Sequence, residues 1–206
     1  MHPNPAFRQA DTARNIAFAR NEGFGLLAVA TGDAPLISHI PFLLSEDGTR
    51  AEFHLVRSNP IVRLMSAPLR ARLAVQGPHS YVSPDWYGIA DQVPTWNYVA
   101  VHLVGEITLQ PQEHMRDLLD RQSAEFEARL APKPEWRAEK MTADVLDRMM
   151  RQIVPCAMRV DEIAGTWKLG QNKPEDVRLR AADPLEAAGQ GQEVAMLARL
   201  MRAPPA

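Results

Sequence analysis

Four short apolar segments follow one another in the first third of the chain: GLLAVAT (25–31), PLISHIPFLL (35–44), AEFHLVR (51–57) and RARLAVQ (70–76). Each has strand length, and the first three are separated only by GDAP and SEDG turn signals. No segment between those three is long enough for the helical crossover that a parallel pair requires. The run therefore reads as an antiparallel meander. A fifth segment, TWNYVAVHLVGEITLQ, is long for one strand and is expected to bend near Gly105. A sixth, PCAMRVDEIAGTW (155–167), alternates again as a final strand.

Helical signals flank this core. DTARNIAFARNE (11–22) opens on an Asp/Thr cap and stops at Gly23. Residues 112–130 carry Met115, Leu118, Leu119, Gln122 and Phe126 on one stripe, and 142–152 has helical spacing after the break APKPEW. Residues 192–202 read as a terminal helix, and 181–192 as an Ala/Gly/Gln-rich connector. The expected fold class is α+β, mainly β: a small barrel of antiparallel strands with flanking helices. One domain is expected over 1–206, with a helical insertion at about 111–152 and a C-terminal tail or helix at about 174–206.

Composition narrows the function classes. With 46% hydrophobic and 23% charged residues, a chain of 206 residues buries one substantial core. No apolar run reaches the length that spans a bilayer, and the opening residues lack a signal-peptide pattern, so the expectation is a cytoplasmic protein with no membrane association. The single Cys156 excludes an internal disulfide or a two-cysteine redox pair and reads as a small core residue. No metal-ligand spacing stands out. A net charge of −2 gives no whole-molecule attraction to nucleic acid. Locally, Phe53–Pro84 contains no Asp or Glu but carries Arg57, Arg63, Arg70 and Arg72. Such a stretch either holds an anion or has its arginines solvated or paired with carboxylates from elsewhere.

Three segments carry candidate chemistry. In HLVRSNP (54–60), Ser58 or Asn59 suits a helix N-cap and Pro60 the first helical position, so a short helix is expected here. Arg57, Ser58 and Asn59 beside a helix start would form a charge-assisted phosphate clamp. A capped helix with Arg57 facing water fits the same residues. SHIPF (38–42) sets a proline in an apolar strand, which implies an edge, either against a flat ring or simply solvent-facing. QGPHSYVSPDWYGIADQVPTWNY (76–98) crowds Tyr81, Trp86, Tyr87, Trp96 and Tyr98 into an apparent loop, suited to an interface or ligand, or to burial on the barrel.

Taken together, MHPNPAF, SHIPF, HLVRSNP, QGPHSYVSPDWY, VPTWNYVAVH and WKLGQNK (167–173) stand in the order and spacing of a known family. The chain resembles the PaiB-type FMN-binding negative transcriptional regulators, split-barrel flavoproteins similar to pyridoxine-phosphate oxidase. The resemblance implies a split β-barrel, FMN as cofactor, and a homodimer with the flavin at the subunit interface. It implies that Ser38, His39, Ile40 and Pro41 lie along the isoalloxazine and that Arg57, Ser58 and Asn59 hold the phosphate, with His54 nearby. Gln76, Thr95, Trp96 and Asn97 would come from the facing subunit or the aromatic loop, and Trp167, Lys168, Gln171 and Asn172 would close the site. Val56, Ser58 and Gly170 depart from the residues common in the family.

Regulation by direct DNA contact is not expected. No helix-turn-helix pattern is present, and residues 112–150 hold nine acidic against seven basic side chains. Two other classes stay open: a flavin-dependent oxidoreductase, such as an FMN reductase or a pyridoxine-phosphate-oxidase-like enzyme, and a haem-binding split barrel in which one of His39, His54, His79 and His102 is a ligand. No catalytic acid or base is identifiable.

Overall fold

The structure, a computed structural model, describes residues 2–205; Met1, which opens the first motif, and Ala206 lie outside the described residues. Helix α1 (Thr12–Glu22) leads into strands β1 (Phe24–Val29), β2 (Leu36–Leu44) and β3 (Arg50–Val56), then the short helix α2 (Pro60–Leu64). Long strands β4 (Leu69–Val82) and β5 (Thr95–Leu109) precede helices α3 (Met115–Ala128) and α4 (Ala143–Met150). Strand β6 (Ile153–Lys168), helix α5 (Glu175–Ala188), the two-residue strand β7 (Gly191–Gln192) and helix α6 (Val194–Arg202) complete the chain.

The strands pair in the order β1-β2-β3-β6-β5-β4-β7, and β1 also pairs with β4. That extra pairing closes six antiparallel strands into a barrel, which leaves β7 as an addition at the outer edge of β4. The meander expected from the sequence is present: β1 pairs β2 with Leu27 opposite Ser38, and β2 pairs β3 with Phe42 opposite Phe53. Period-2 alternation decides which side chains enter the core. Ala51, Phe53 and Leu55 of β3 point inward with Ile40, Phe42 and Leu44 of β2. Each fully buried Phe contributes about 1.5–3 kcal/mol of apolar burial.

The chain gathers into two compact units. One comprises the chain up to Phe18 with Ala74–His102 and the residues from Ile163 onward; the other comprises Ala19–Leu73 and Leu103–Glu162. In the second unit, β5 runs as one strand through Gly105, where the sequence suggested a bend. A Cβ there would stand 1.9 Å from the Arg159 carbonyl oxygen, so glycine is required by the close approach of β6 rather than by a turn.

In the first unit, Asn15 of α1 is buried and accepts the indole N–H of Trp167 at 2.9 Å, while Phe18 meets the same indole edge-on at 5.3 Å. Two expectations are corrected here. Residues 76–82 continue β4 rather than opening a loop, so Tyr81 is a strand residue. The stretch read as a connector is mostly helix α5, whose Ala181, Ala182 and Leu185 are fully buried, as are Leu197, Ala198 and Met201 of α6. Pro184 inside α5 and the small residues around it hid a helix that tertiary packing stabilises.

Candidate functional site

The residues singled out by sequence fall into two sets, one on each unit. In the second unit, α2 begins where the sequence placed it. Asn59 is its N-cap, accepting the Ile61 N–H at 2.9 Å, and Pro60 is the first helical residue. The Asn59 side-chain amide also donates to the Ser38 hydroxyl at 2.8 Å, which joins the SHIPF strand to the helix start. One feature differs from the sequence expectation. The helix start has few amides to offer: Pro60 has none, Ile61 N–H is taken by Asn59, and Val62 N–H bonds to the Asn59 carbonyl. Side chains, rather than free helix amides, are the donors this segment offers.

Arg57 is exposed but not loose. Its Nε donates to the Arg151 carbonyl at 2.9 Å, and Nη2 donates to the Gln112 amide oxygen at 2.8 Å and the Ile153 carbonyl at 3.3 Å. Gln112 is itself anchored by donating to the Met150 and Ile153 carbonyls. These acceptors fix the guanidinium plane beside exposed Ser58. Arg70, in the same acid-free stretch, is instead neutralised by Asp161 of β6. On β2, Ile40 is buried, Pro41 and Ser38 are half-buried, and His39 is exposed, its ring stacked on Phe24 at 6.4 Å.

His54 stands apart from Ser38 and Asn59. It lines a cavity of about 360 Å³ formed with α3, α4 and the segment before α4, together with Val56, Leu119, Trp136, Leu146, Met149 and Met150. Burial pushes its ring below the ordinary value of 6.5, with the Gln122 side chain pulling partly back. Ring Nδ1 and the Gln122 Nε2 are buried without hydrogen-bond partners.

In the first unit, Lys168 donates to the Thr95 hydroxyl, and Lys173 donates to Gln92 and lies over the Tyr87 ring at 4.2 Å. Burial, then the charge of Lys173, lowers the Lys168 ammonium below its ordinary value. Trp96 is 48% exposed, with His79 at 6.0 Å and Tyr81 edge-on at 6.4 Å between ring centroids. Gln76 Nε2 lies 3.1 Å from His79 Nδ1. Asn97 and Trp167 are buried: Asn97 donates to the Met201 sulfur at 3.4 Å, and Trp167 is held by Asn15. Gln171 spans a turn, accepting from Leu169 N–H and donating to the Trp167 carbonyl, while Asn172 is exposed. Gly170 has φ +83°, a region that favours glycine. Sequence reasoning missed the part played by Gln112 and Gln122; Gln122 stood out only as a polar residue on an otherwise apolar helical stripe, and exposed Gln112 carried no local signal.

A closed antiparallel barrel with this pattern of flanking helices defines the split-barrel flavoprotein fold. It is shared at TM-score 0.58 with the FAD and haem binding protein from Mycobacterium smegmatis, at 14% identity over 90% of this chain and 82% of that one. It is shared at TM-score 0.53 with the flavocytochrome Anf3 from Azotobacter vinelandii, at 12% identity over 82% and 73%. The chain belongs to the family described as "Putative FMN-binding domain", which matches residues 1–162, and FMN is the cofactor that membership assigns to it. It is also 27% identical over 185 residues to the Protease synthase and sporulation protein PAI 2 of Bacillus subtilis (strain 168), covering 88% of each chain.

The residues present fit this cofactor. A fixed, exposed guanidinium, an exposed hydroxyl and an amide tied to Ser38 suit a phosphate monoester. Exposed Trp96, and His39 stacked on Phe24, offer flat surfaces to a ring system. Among the described residues no helix is long and apolar enough to cross a membrane.

Proposed function

We propose that this protein is a homodimeric FMN-binding regulator of the PaiB type that acts without gripping DNA itself, as a single functional domain in the cytoplasm. The observation that carries the reading is the disposition of its basic side chains. Arg116 and Arg121 of α3 each pair with a carboxylate one turn on or back, at 2.7 and 2.8 Å. Arg129 and Arg180 are paired in the same way, and Arg202 of α6 pairs with Asp183 and Glu186 of α5. A surface that neutralises DNA phosphates needs cations free of such partners. Any regulatory output therefore passes through the flavin, a metabolite or a protein partner.

In this reading Arg57 and Ser58 grip the FMN phosphate, Gln112 and the Arg151 and Ile153 carbonyls hold Arg57 in plane, and Asn59 keeps α2 and Ser38 in register. His39, Ile40 and Pro41 would border the ring, Gln76, Thr95 and Trp96 would come to it from the facing subunit or the aromatic segment, and Lys168, Gln171 and Asn172 would close the site, with the buried Asn97 and Trp167 packed behind them. When bound, FMN supplies reversible one- or two-electron chemistry. Lys168, its ammonium weakened by burial and by Lys173, is suited to hold or release a proton at Nζ beside Thr95. That feature favours a second reading, a flavin-dependent oxidoreductase.

The test is titration calorimetry with FMN and riboflavin. FMN is expected to bind more tightly, and Arg57→Ala to weaken FMN by about 1.5–3 kcal/mol, the range for a hydrogen bond to a charged group, with little effect on riboflavin. Equal affinities for the two flavins would remove the phosphate clamp from the reading. Turnover of a reduced nicotinamide by the flavin-loaded protein, lost in Lys168→Met, would favour the oxidoreductase.

A further inference from the structure

The cavity beneath α3 and α4 is lined by none of Ser38, Arg57, Ser58 and Asn59, and its wall has its own chemistry. At about 360 Å³ it lies at the small end of the range for organic-ligand pockets. Its surface is set by Trp136 and by thioethers, Met149 and Met150 among them, side chains that adapt to and attract aromatic rings. The two charged residues at its wall cancel: Arg116 and Asp120 pair at 2.7 Å, and Arg116 also holds Glu139 at 2.9 Å. His54, the titratable group on the strand side, is held in its neutral form by burial. Met149 is 54% exposed, so the cavity opens to solvent past an apolar rim.

From this wall we infer that the cavity beneath α3 and α4 is a second ligand site, separate from the flavin, for a small neutral aromatic molecule of about two fused rings. An ionised ligand would meet no unpaired opposite charge there and would lose its hydration. A purely polar ligand would strip water from thioether and indole surface without recompense. A flat neutral ring gains on both counts, and the helical insertion that frames the cavity then becomes a route by which a ligand acts on β3, to which α3 is packed.

The experiment titrates the FMN-loaded full-length protein with 2-naphthol and, in parallel, with 2-naphthoate, while the visible flavin absorbance is recorded. 2-Naphthol is expected to bind with flavin retained, and 2-naphthoate at least about tenfold more weakly, the cost of stripping water from an unpaired charge. Met149→Trp, a substitution at an exposed rim position, is expected to lower naphthol affinity at least about tenfold, a blocked pocket losing its apolar burial, without changing flavin content. Leu119→Trp, on the α3 part of the lining, gives the same reading should the first variant express poorly. Equal binding of the anion, no effect of either filling variant, or no naphthol binding by folded protein would overturn the inference. Release of flavin on naphthol binding would overturn it in another way, by making the cavity part of the flavin site. Failure of the wild-type protein to take up FMN at all is read before naphthol is added and bears only on the function proposed above.

Discussion

At the scale of single residues, burial decides which groups stay chemically quiet. Cys156 is 1% exposed and burial pushes its thiol up to about 12, so it stays protonated and acts as the core residue its isolation in the sequence implied. His54 is the opposite case, a base held neutral. Its ring is lowered from 6.5 chiefly by burial. As pH falls past 6.5 the unfolded chain takes up a proton that the folded chain resists, so the unfolded state binds more protons in that window. The contribution of the neutral ring is full above about 6.5 and is lost as pH falls toward the lowered folded value. Thermal unfolding measured between neutral and mildly acidic pH is therefore expected to show a declining melting temperature that His54→Leu flattens. An unchanged slope in the variant would assign the dependence to another group.

At the scale of elements, the close approach of β5 and β6 is the most exacting contact. Gly105→Ala places a methyl carbon 1.9 Å from the Arg159 carbonyl oxygen, and backbone rather than a flexible side chain must yield. The expected cost is about 4 kcal/mol or more, in the exceptional range for point substitutions. Gly32→Ala, with no atom within 4 Å of the new Cβ, serves as the control and should change stability by no more than about 0.5 kcal/mol. Denaturant unfolding of the pair checks both values. The sequence showed β1, β2, β3, α1, α3, α4 and α6 because each carries its own period and punctuation. It marked Gly105 through an expected bend, while the contact that demands glycine is the close approach of Arg159, since a lone glycine signals close approach and bending alike. It hid α5, whose stability lies in contacts with α6 rather than in its own residues, and the far half of β4, where Gly77 and Pro78 imitate a turn. At the candidate site, the Asn59 cap and Pro60 were legible because capping is local. The partners that fix Arg57 were not, because Gln112, Arg151 and Ile153 lie 55 to 96 residues away.

At the scale of the whole molecule, the outer face of the β1–β2 hairpin leaves Phe24 and Ile37 about half exposed beside His39, apolar surface that a second copy would cover. Light scattering at micromolar concentration is expected to give about twice 23.0 kDa. A monomer that retains FMN would dismiss the interface-bound cofactor. With Arg116, Arg121, Arg129, Arg180 and Arg202 committed to carboxylates, the protein is also expected to show no sequence-dependent shift of its own upstream DNA at about 150 mM salt under excess competitor. A sharp shift at nanomolar protein would restore direct repression.

The first unit draws on both ends of the chain. Asn15 waits for Trp167 across 152 positions, and His79 and Ser80 pair with Gly191 and Gln192. On the ribosome, where residues emerge in order, α1 and the first half of the barrel are made long before the partners that bury them. The second unit needs nothing past Glu162 and is free to form first. Asn97, which bonds to Met201, and the β4 segment at His79 and Ser80 then stay uncovered until residues 191–201 have been made, and a nascent chain stalled before them presents that surface to chaperones.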